Sequence, residues 1–164
     1  MIVVINGPPG VGKTTVSKAL AKLRPGTVCI HGDQLRAFAP EDARTHLGGG
    51  STYRAAATLA CAYLEMGATR VIFDYCFLRP RHLHYFTERV PPDVPVHAFT
   101  LWAALTTVQD REQGRDARTP LGEAVEECHR EIEEHLAELG TKVDAESEAP
   151  DVVAELIHAQ LSRG

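Results

Sequence analysis

No stretch of this chain approaches the eighteen or so apolar residues that a membrane-spanning helix needs. Basic charge is also short: 17 Lys and Arg stand against 22 Asp and Glu, a formal net charge of −5. That balance argues against broad binding to nucleic acid or anionic membranes, although a local basic site remains open. The four cysteines (Cys29, Cys61, Cys76, Cys128) form no C-x-x-C pair. They read as small buried hydrophobes of a reducing compartment. Eight histidines are present, but His82 and His84 merely alternate and His129 and His135 stand six apart, so metal-ligand spacing is lacking. Repeats, low-complexity tracts and linkers are absent. Met1–Ile5 is too short for a signal peptide and has no basic n-region, so the expectation is a cytoplasmic protein. At 164 residues the chain suits one domain, residues 1–164, with a core that needs no staples.

What is present is an alternation of short apolar runs and longer helical patterns. Ile2–Ile5 is a continuous β-branched run, as in a strand buried on both faces. Thr27–His31, Arg70–Asp74, Pro95–Leu101 and Thr141–Asp144 supply four more strands. Helices are expected at Lys13–Leu23, Tyr53–Met66, Pro80–Arg89, Ala103–Gln113, Glu123–Leu139 and Pro150–Leu161. The Tyr53–Met66 segment is apolar nearly all round and is expected to be buried. Such alternation implies βαβ units around a parallel sheet, with ligands at the carboxyl ends of the strands.

The segment Gly7-Pro8-Pro9-Gly10-Val11-Gly12-Lys13-Thr14 fits G-x-x-x-x-G-K-[ST] at every fixed position, and it lies between a strand and a helix. Glycines let the backbone curl so that successive N–H groups face phosphate oxygens, and the helix N-terminus adds its positive end. Lys13 suits the β- and γ-phosphates, and the Thr14 hydroxyl suits Mg²⁺; Thr15 completes the turn. A glycine-rich turn capped by a lysine is the bland alternative.

Three further features refine this reading. Val71-Ile-Phe-Asp74 is an apolar strand ending in an acid, as in a Walker B position that supports the metal shell. Asp33 follows the second strand, where a carboxylate can orient and deprotonate an acceptor hydroxyl. It could equally cap a following helix. Arg111, Arg115 and Arg118 gather between residues 110 and 122 with Gly114 and Gly122, which suggests a lid bringing guanidiniums over phosphates. A solvated helix end, with Asp110, Glu112 and Asp116 as partners, is the competing interpretation.

Taken in order, GPPGVGKT, the Asp after strand two, VIFDYCFL and the spaced arginines resemble the small P-loop kinases of the shikimate, gluconate and adenylate kinase type. Within that group the chain is similar to chloramphenicol phosphotransferases and to the bacterial tunicamycin-resistance family. The resemblance implies an α/β three-layer fold: a five-stranded parallel sheet of order 2-3-1-4-5, helices on both faces and an Arg-rich lid at about 111–122. It further implies ATP and Mg²⁺ as cofactors, with γ-phosphoryl transfer to a hydroxyl of a small molecule, an antibiotic among the candidates. Asp33 matches the catalytic aspartate, with Lys13 and the lid arginines assisting. Thr14 and Asp74 match the metal positions, and Asp144-Ala145-Glu146 matches the stretch against adenine. The membrane association of the tunicamycin-resistance type is not carried over, because the apolar stripe of the last helix is expected to pack on the sheet and only Arg163 is at hand there as a base.

On the acceptor side Arg36, Arg54, Tyr75 and Arg79 are candidate contacts, with Arg44 as a further surface arginine. Phe38, Tyr53 and Tyr75 could stack on a ring or fill the core. Gly48-Gly-Gly-Ser51 is expected as a mobile loop at the pocket mouth. Three other functions compete. Thr141-Lys-Val-Asp144 fits the guanine-reading [NT]-K-x-D, but the D-x-x-G switch of a GTPase is missing. A nucleic-acid end kinase is disfavoured by the acid excess. A protein that sequesters a drug or nucleoside would need neither Asp33 nor the arginines.

Overall fold

The computed structural model describes residues 1–114 and 122–163. Five strands, β1 (Ile2–Asn6), β2 (Thr27–His31), β3 (Arg70–Asp74), β4 (Val96–Trp102) and β5 (Thr141–Asp144), form one sheet of order β2-β3-β1-β4-β5. Every pairing is parallel, with Ile2 opposite Val71 and Val96, and His31 opposite Asp74. Alternate side chains feed opposite faces. Val3, Ile5 and Ile72 join a core with Val16, Leu20, Val153 and Ile157, from helices α1 (Lys13–Lys22) and α8 (Pro150–Leu161). Ile2, Val4, Val71 and Phe73 join the other core with Ala56, Ala60, Phe77 and Phe86. Because β1 and β3 are buried along their whole length, they carry β-branched and aromatic residues without alternation. The parallel α/β sheet of the expected order is therefore observed.

Between β2 and β3 run α2 (Gly32–Ala37), α3 (Glu41–Leu47) and α4 (Ser51–Glu65). After β3 come α5 (Pro80–Thr87), α6 (Leu105–Gln113) beyond β4, and α7 (Glu123–Glu134). Several expectations need correcting here. Helices α2 and α3 have no strong apolar period and escaped the pattern; α3 buries no residue. Helix α4 is not buried all round: Ala56, Ala57 and Ala60 make one tight face, and Ala55 and Thr58 face outward. A run of alanines looks apolar in composition while burying little area. Gly48–Gly50 is a tight turn between α3 and α4, where the Gly50 α-carbon lies against the Tyr85 ring; a Cβ there would sit 2.4 Å from Tyr85 Cδ2. Helix α7 stops at Glu134, followed by a 3₁₀ turn over Leu136–Glu138, and buries Val125, His129 and Ile132.

Asn6, at the end of β1, is 1% exposed. Its amide nitrogen donates to the Phe77 carbonyl (3.1 Å) and to Thr100 Oγ1 (3.1 Å), and its oxygen accepts from the Phe77 N–H (2.7 Å). Thr100 Oγ1 in turn donates to the Leu139 carbonyl at 2.8 Å. This knot fastens the open end of the sheet where β1, β4 and the segment after β3 meet.

Candidate active site

The loop between β1 and α1 takes its shape from glycines whose backbone no other residue adopts readily. Gly10 and Gly12 have φ of 85° and 99°, in the left-handed region. Gly10 is also pressed against the chain: a Cβ would stand 2.1 Å from the Val108 carbonyl oxygen, whereas Gly12 has open space around it. Lys13 Nζ donates to the carbonyls of Gly7 (2.9 Å) and Pro8 (3.0 Å), so the ammonium closes the loop it belongs to.

At the first turn of α1, Thr14 Oγ1 donates to Asp74 Oδ1 at 3.0 Å. Asp74 Oδ2 meets His31 Nδ1 at 2.5 Å. The carboxylate ending β3 is thus gripped from two neighbouring elements, in a position 4% exposed. His31 supplies one of these two grips. Its role follows from the register, which sets it opposite Asp74, and only the pairing of β2 with β3 reveals it.

Asp33 lies in the first turn of α2, and His31 rather than Asp33 holds the N-cap position. The capping alternative for Asp33 is thereby removed, and its carboxylate complements the helix dipole while lining the cavity. That cavity measures about 250 Å³ and is bounded by Pro9, Lys13, Thr14, Asp33, Arg36, Tyr53, Asp74, Tyr75, Cys76, Leu78 and Cys128. Gly32 makes this possible, since the Tyr75 ring rests where its Cβ would be, 2.3 Å from Tyr75 Cδ2. Arg36 hydrogen-bonds the Tyr75 side chain, and burial raises the Tyr75 phenol. Tyr53 donates to the Cys76 carbonyl at 2.8 Å and stacks on His82; burial raises its pKa as well.

Other sequence candidates stand elsewhere. Arg54 pairs with Glu88 at 2.5 Å and covers the Tyr85 ring, outside the cavity lining. Arg79 binds both oxygens of Glu131, at 2.5 and 2.8 Å, and also stays out of the lining. Phe38 is 84% exposed and fills no core. Cysteine expectations also need revision: all four are free and half-buried, and two of them face the cavity.

A second cavity of about 300 Å³ lies on the far side of the phosphate loop, lined by Gly10, Gly12, Thr15, Arg111, Ala145 and Pro150 among others. Arg111, at the end of α6, does not reach over Lys13. Its guanidinium donates to the Ala145 carbonyl (3.0 Å) and the Glu146 carbonyl (2.8 Å). Glu146 accepts from Thr107 Oγ1 and the Ala104 N–H, and these bonds hold its carboxyl below the usual range. Asp144 Oδ1 accepts from the Glu146 N–H at 2.8 Å. The remaining lid arginines, Arg115 and Arg118, lie outside the described residues.

Residues 2–139 match a protein family described as an AAA domain. The chain belongs to that family. No curated protein matches it. Among solved structures, the tunicamycin resistance protein of Deinococcus radiodurans superposes with a TM-score of 0.72 at 27% identity, over 98% of this chain and 94% of its own. A gluconokinase of Sinorhizobium meliloti gives 0.70 at 18% identity, covering 98% and 91%. The shikimate kinase of Bacteroides thetaiotaomicron gives 0.67 at 14%, covering 99% and 98%. The fold is therefore that of the P-loop kinases, and its neighbours include several small-molecule kinases. Among the described residues no helix is long and apolar enough to cross a membrane.

Proposed function

We propose that the protein is an ATP-dependent phosphotransferase that moves the γ-phosphoryl group to a hydroxyl of a small molecule. The observation that carries this reading is the convergence of Lys13, Thr14 and Asp74 with Asp33 on one cavity. In this proposal Lys13 binds the β- and γ-phosphates, while backbone N–H groups of Gly7–Thr14 orient them. Asp33 accepts the proton of the acceptor hydroxyl as it attacks. Thr14 and Asp74 present two hard oxygens already within hydrogen-bond distance of one another, a donor set that suits Mg²⁺ and no soft metal. When bound, Mg²⁺ would neutralise phosphate charge. His31 keeps the Asp74 carboxylate turned toward that position.

The second cavity, with Arg111, Ala145 and the Asp144–Glu146 loop, is assigned to the nucleotide base and ribose. ATP is preferred over GTP in this reading because Asp144 already spends one oxygen on the Glu146 N–H, closing the loop upon itself. Arg111 then acts as a wall of the nucleotide site, and Arg115 and Arg118 are left to neutralise the phosphoryl group in flight. The acceptor is assigned to the same cavity, beside the γ-phosphate. Arg36 and Tyr75 offer it polar contacts, and Pro9, Leu78 and the Tyr53 ring an apolar wall.

The experiment is ADP release screened over tunicamycin, chloramphenicol, nucleosides and sugar acids, with Asp33→Asn beside the wild type. A true acceptor raises release, and Asp33→Asn lowers that rate by on the order of 10³-fold. Wild-type turnover by Asp33→Asn would remove the base. A tightly bound candidate that never raises ADP release would leave sequestration as the function.

A further inference from the structure

Four free cysteines divide into two kinds. Cys29 Sγ donates to the Ser17 carbonyl (3.6 Å), and burial pushes its thiol up to about 11. Cys61 donates to the Arg89 carbonyl at 4.0 Å, and burial raises its thiol too. Both are spoken for by the backbone and held as thiols. Cys76 and Cys128 behave otherwise. They come from elements 52 residues apart (76 to 128), the segment after β3 and the middle of α7, yet both line the acceptor cavity and their thiols hydrogen-bond each other. The Cys76 backbone is fixed there by the Tyr53 hydroxyl. The bond from Cys76 brings the Cys128 thiol down to about 7 against its burial; the Lys13 charge helps, and Glu127 and Glu131 oppose. A thiolate that is reachable through a cavity and has a second thiol at hand is the arrangement of redox-sensitive cysteines.

We propose that Cys76 and Cys128 are a peroxide-oxidisable pair that closes into a disulfide across the wall of the acceptor cavity. The chemistry balances with hydrogen peroxide as oxidant. The Cys128 thiolate attacks one peroxide oxygen, the O–O bond breaks, and hydroxide leaves and is protonated to water; sulfur is oxidised to a sulfenic acid and the peroxide is reduced. Cys76 then attacks the Cys128 sulfur, the S–S bond forms, the S–O bond breaks, and a second water carries off the Cys76 proton. A cellular dithiol would reverse the step by exchange. The bond would tie the segment after β3 to α7, both of which line the cavity.

Formation of the bond is independent of the kinase reading; only its effect on turnover rests on it. The test treats the intact protein with hydrogen peroxide, alkylates free thiols and maps peptides without reductant. The expected product is a Cys76–Cys128 linked peptide that dithiothreitol removes and that persists in a Cys29→Ser, Cys61→Ser double variant. In Cys76→Ser, Cys128 should instead be trapped by dimedone as the sulfenic acid. An absent linked peptide, or links distributed equally to Cys29 and Cys61, would overturn the proposal. With an acceptor in hand, the oxidised protein should lose ADP release by at least about tenfold and recover it with dithiothreitol, since small displacements at a reacting centre cost that much. Undiminished release from fully linked protein would overturn the obstruction of the cavity while leaving phosphoryl transfer itself intact.

Discussion

The two sides of the proposed catalytic cleft are built from different materials. The phosphate side is almost wholly backbone: a loop whose glycines set its curl, closed by Lys13 on its own carbonyls and packed against Val108. The acceptor side is almost wholly side chain, gathered from α2, α4, the segment after β3 and α7. A backbone site tolerates no change at the residues that shape it, whereas a side-chain site can be altered one group at a time. The comparison therefore predicts that damage on the first side is global and damage on the second is selective.

The strongest way to break that contrast is Gly10→Ala. Left-handed strain of roughly 1–2 kcal/mol adds to the overpacking of a Cβ on the Val108 carbonyl, so stability should fall by on the order of 3 kcal/mol and nucleotide binding should go with it. Gly12→Ala shares the dihedral but not the close approach, and should cost only roughly 1–2 kcal/mol. Urea unfolding and nucleotide titration measure both; equal costs would mean that the Val108 contact is unimportant. Next in size is Arg36→Ala, which should raise the KM for the acceptor on the order of tenfold and leave the nucleotide Kd unchanged, because a charge-assisted hydrogen bond is lost from one side only. A parallel loss of nucleotide affinity would erase the distinction between the two sides. The smallest effect belongs to Arg79→Ala. Its pairing with Glu131 faces solvent, so acceptor KM and nucleotide Kd should both stay within about twofold in steady-state and binding assays.

The same division explains what could be read from the amino acids alone. The phosphate loop is contiguous in the chain, and its spacing states its geometry; Lys13, Thr14 and the strands around them were visible for that reason. Asp74 was visible as the polar end of an apolar run. The acceptor side is scattered over residues 33 to 128, and only the topology brings those residues together. Hence two of four proposed acceptor contacts, Arg36 and Tyr75, line the cavity, whereas Arg54 and Arg79 pair with Glu88 and Glu131 instead. His31 and the Cys76–Cys128 pair follow from strand register and helix placement, which no local pattern encodes. Arg111 lay in a recognisable cluster, but its direction depends on carbonyls of a loop 34 residues away.

The buried amide of Asn6 has a consequence for how such a protein can diversify. By riveting the ends of β1 and β4 to the chain that leaves β3, it separates the frame that holds phosphate from the loops that choose an acceptor. Those loops can exchange residues, lengthen or shorten while the frame stays put. On the proposed function, a single side chain thus lets the acceptor loops change while the phosphate loop keeps its place.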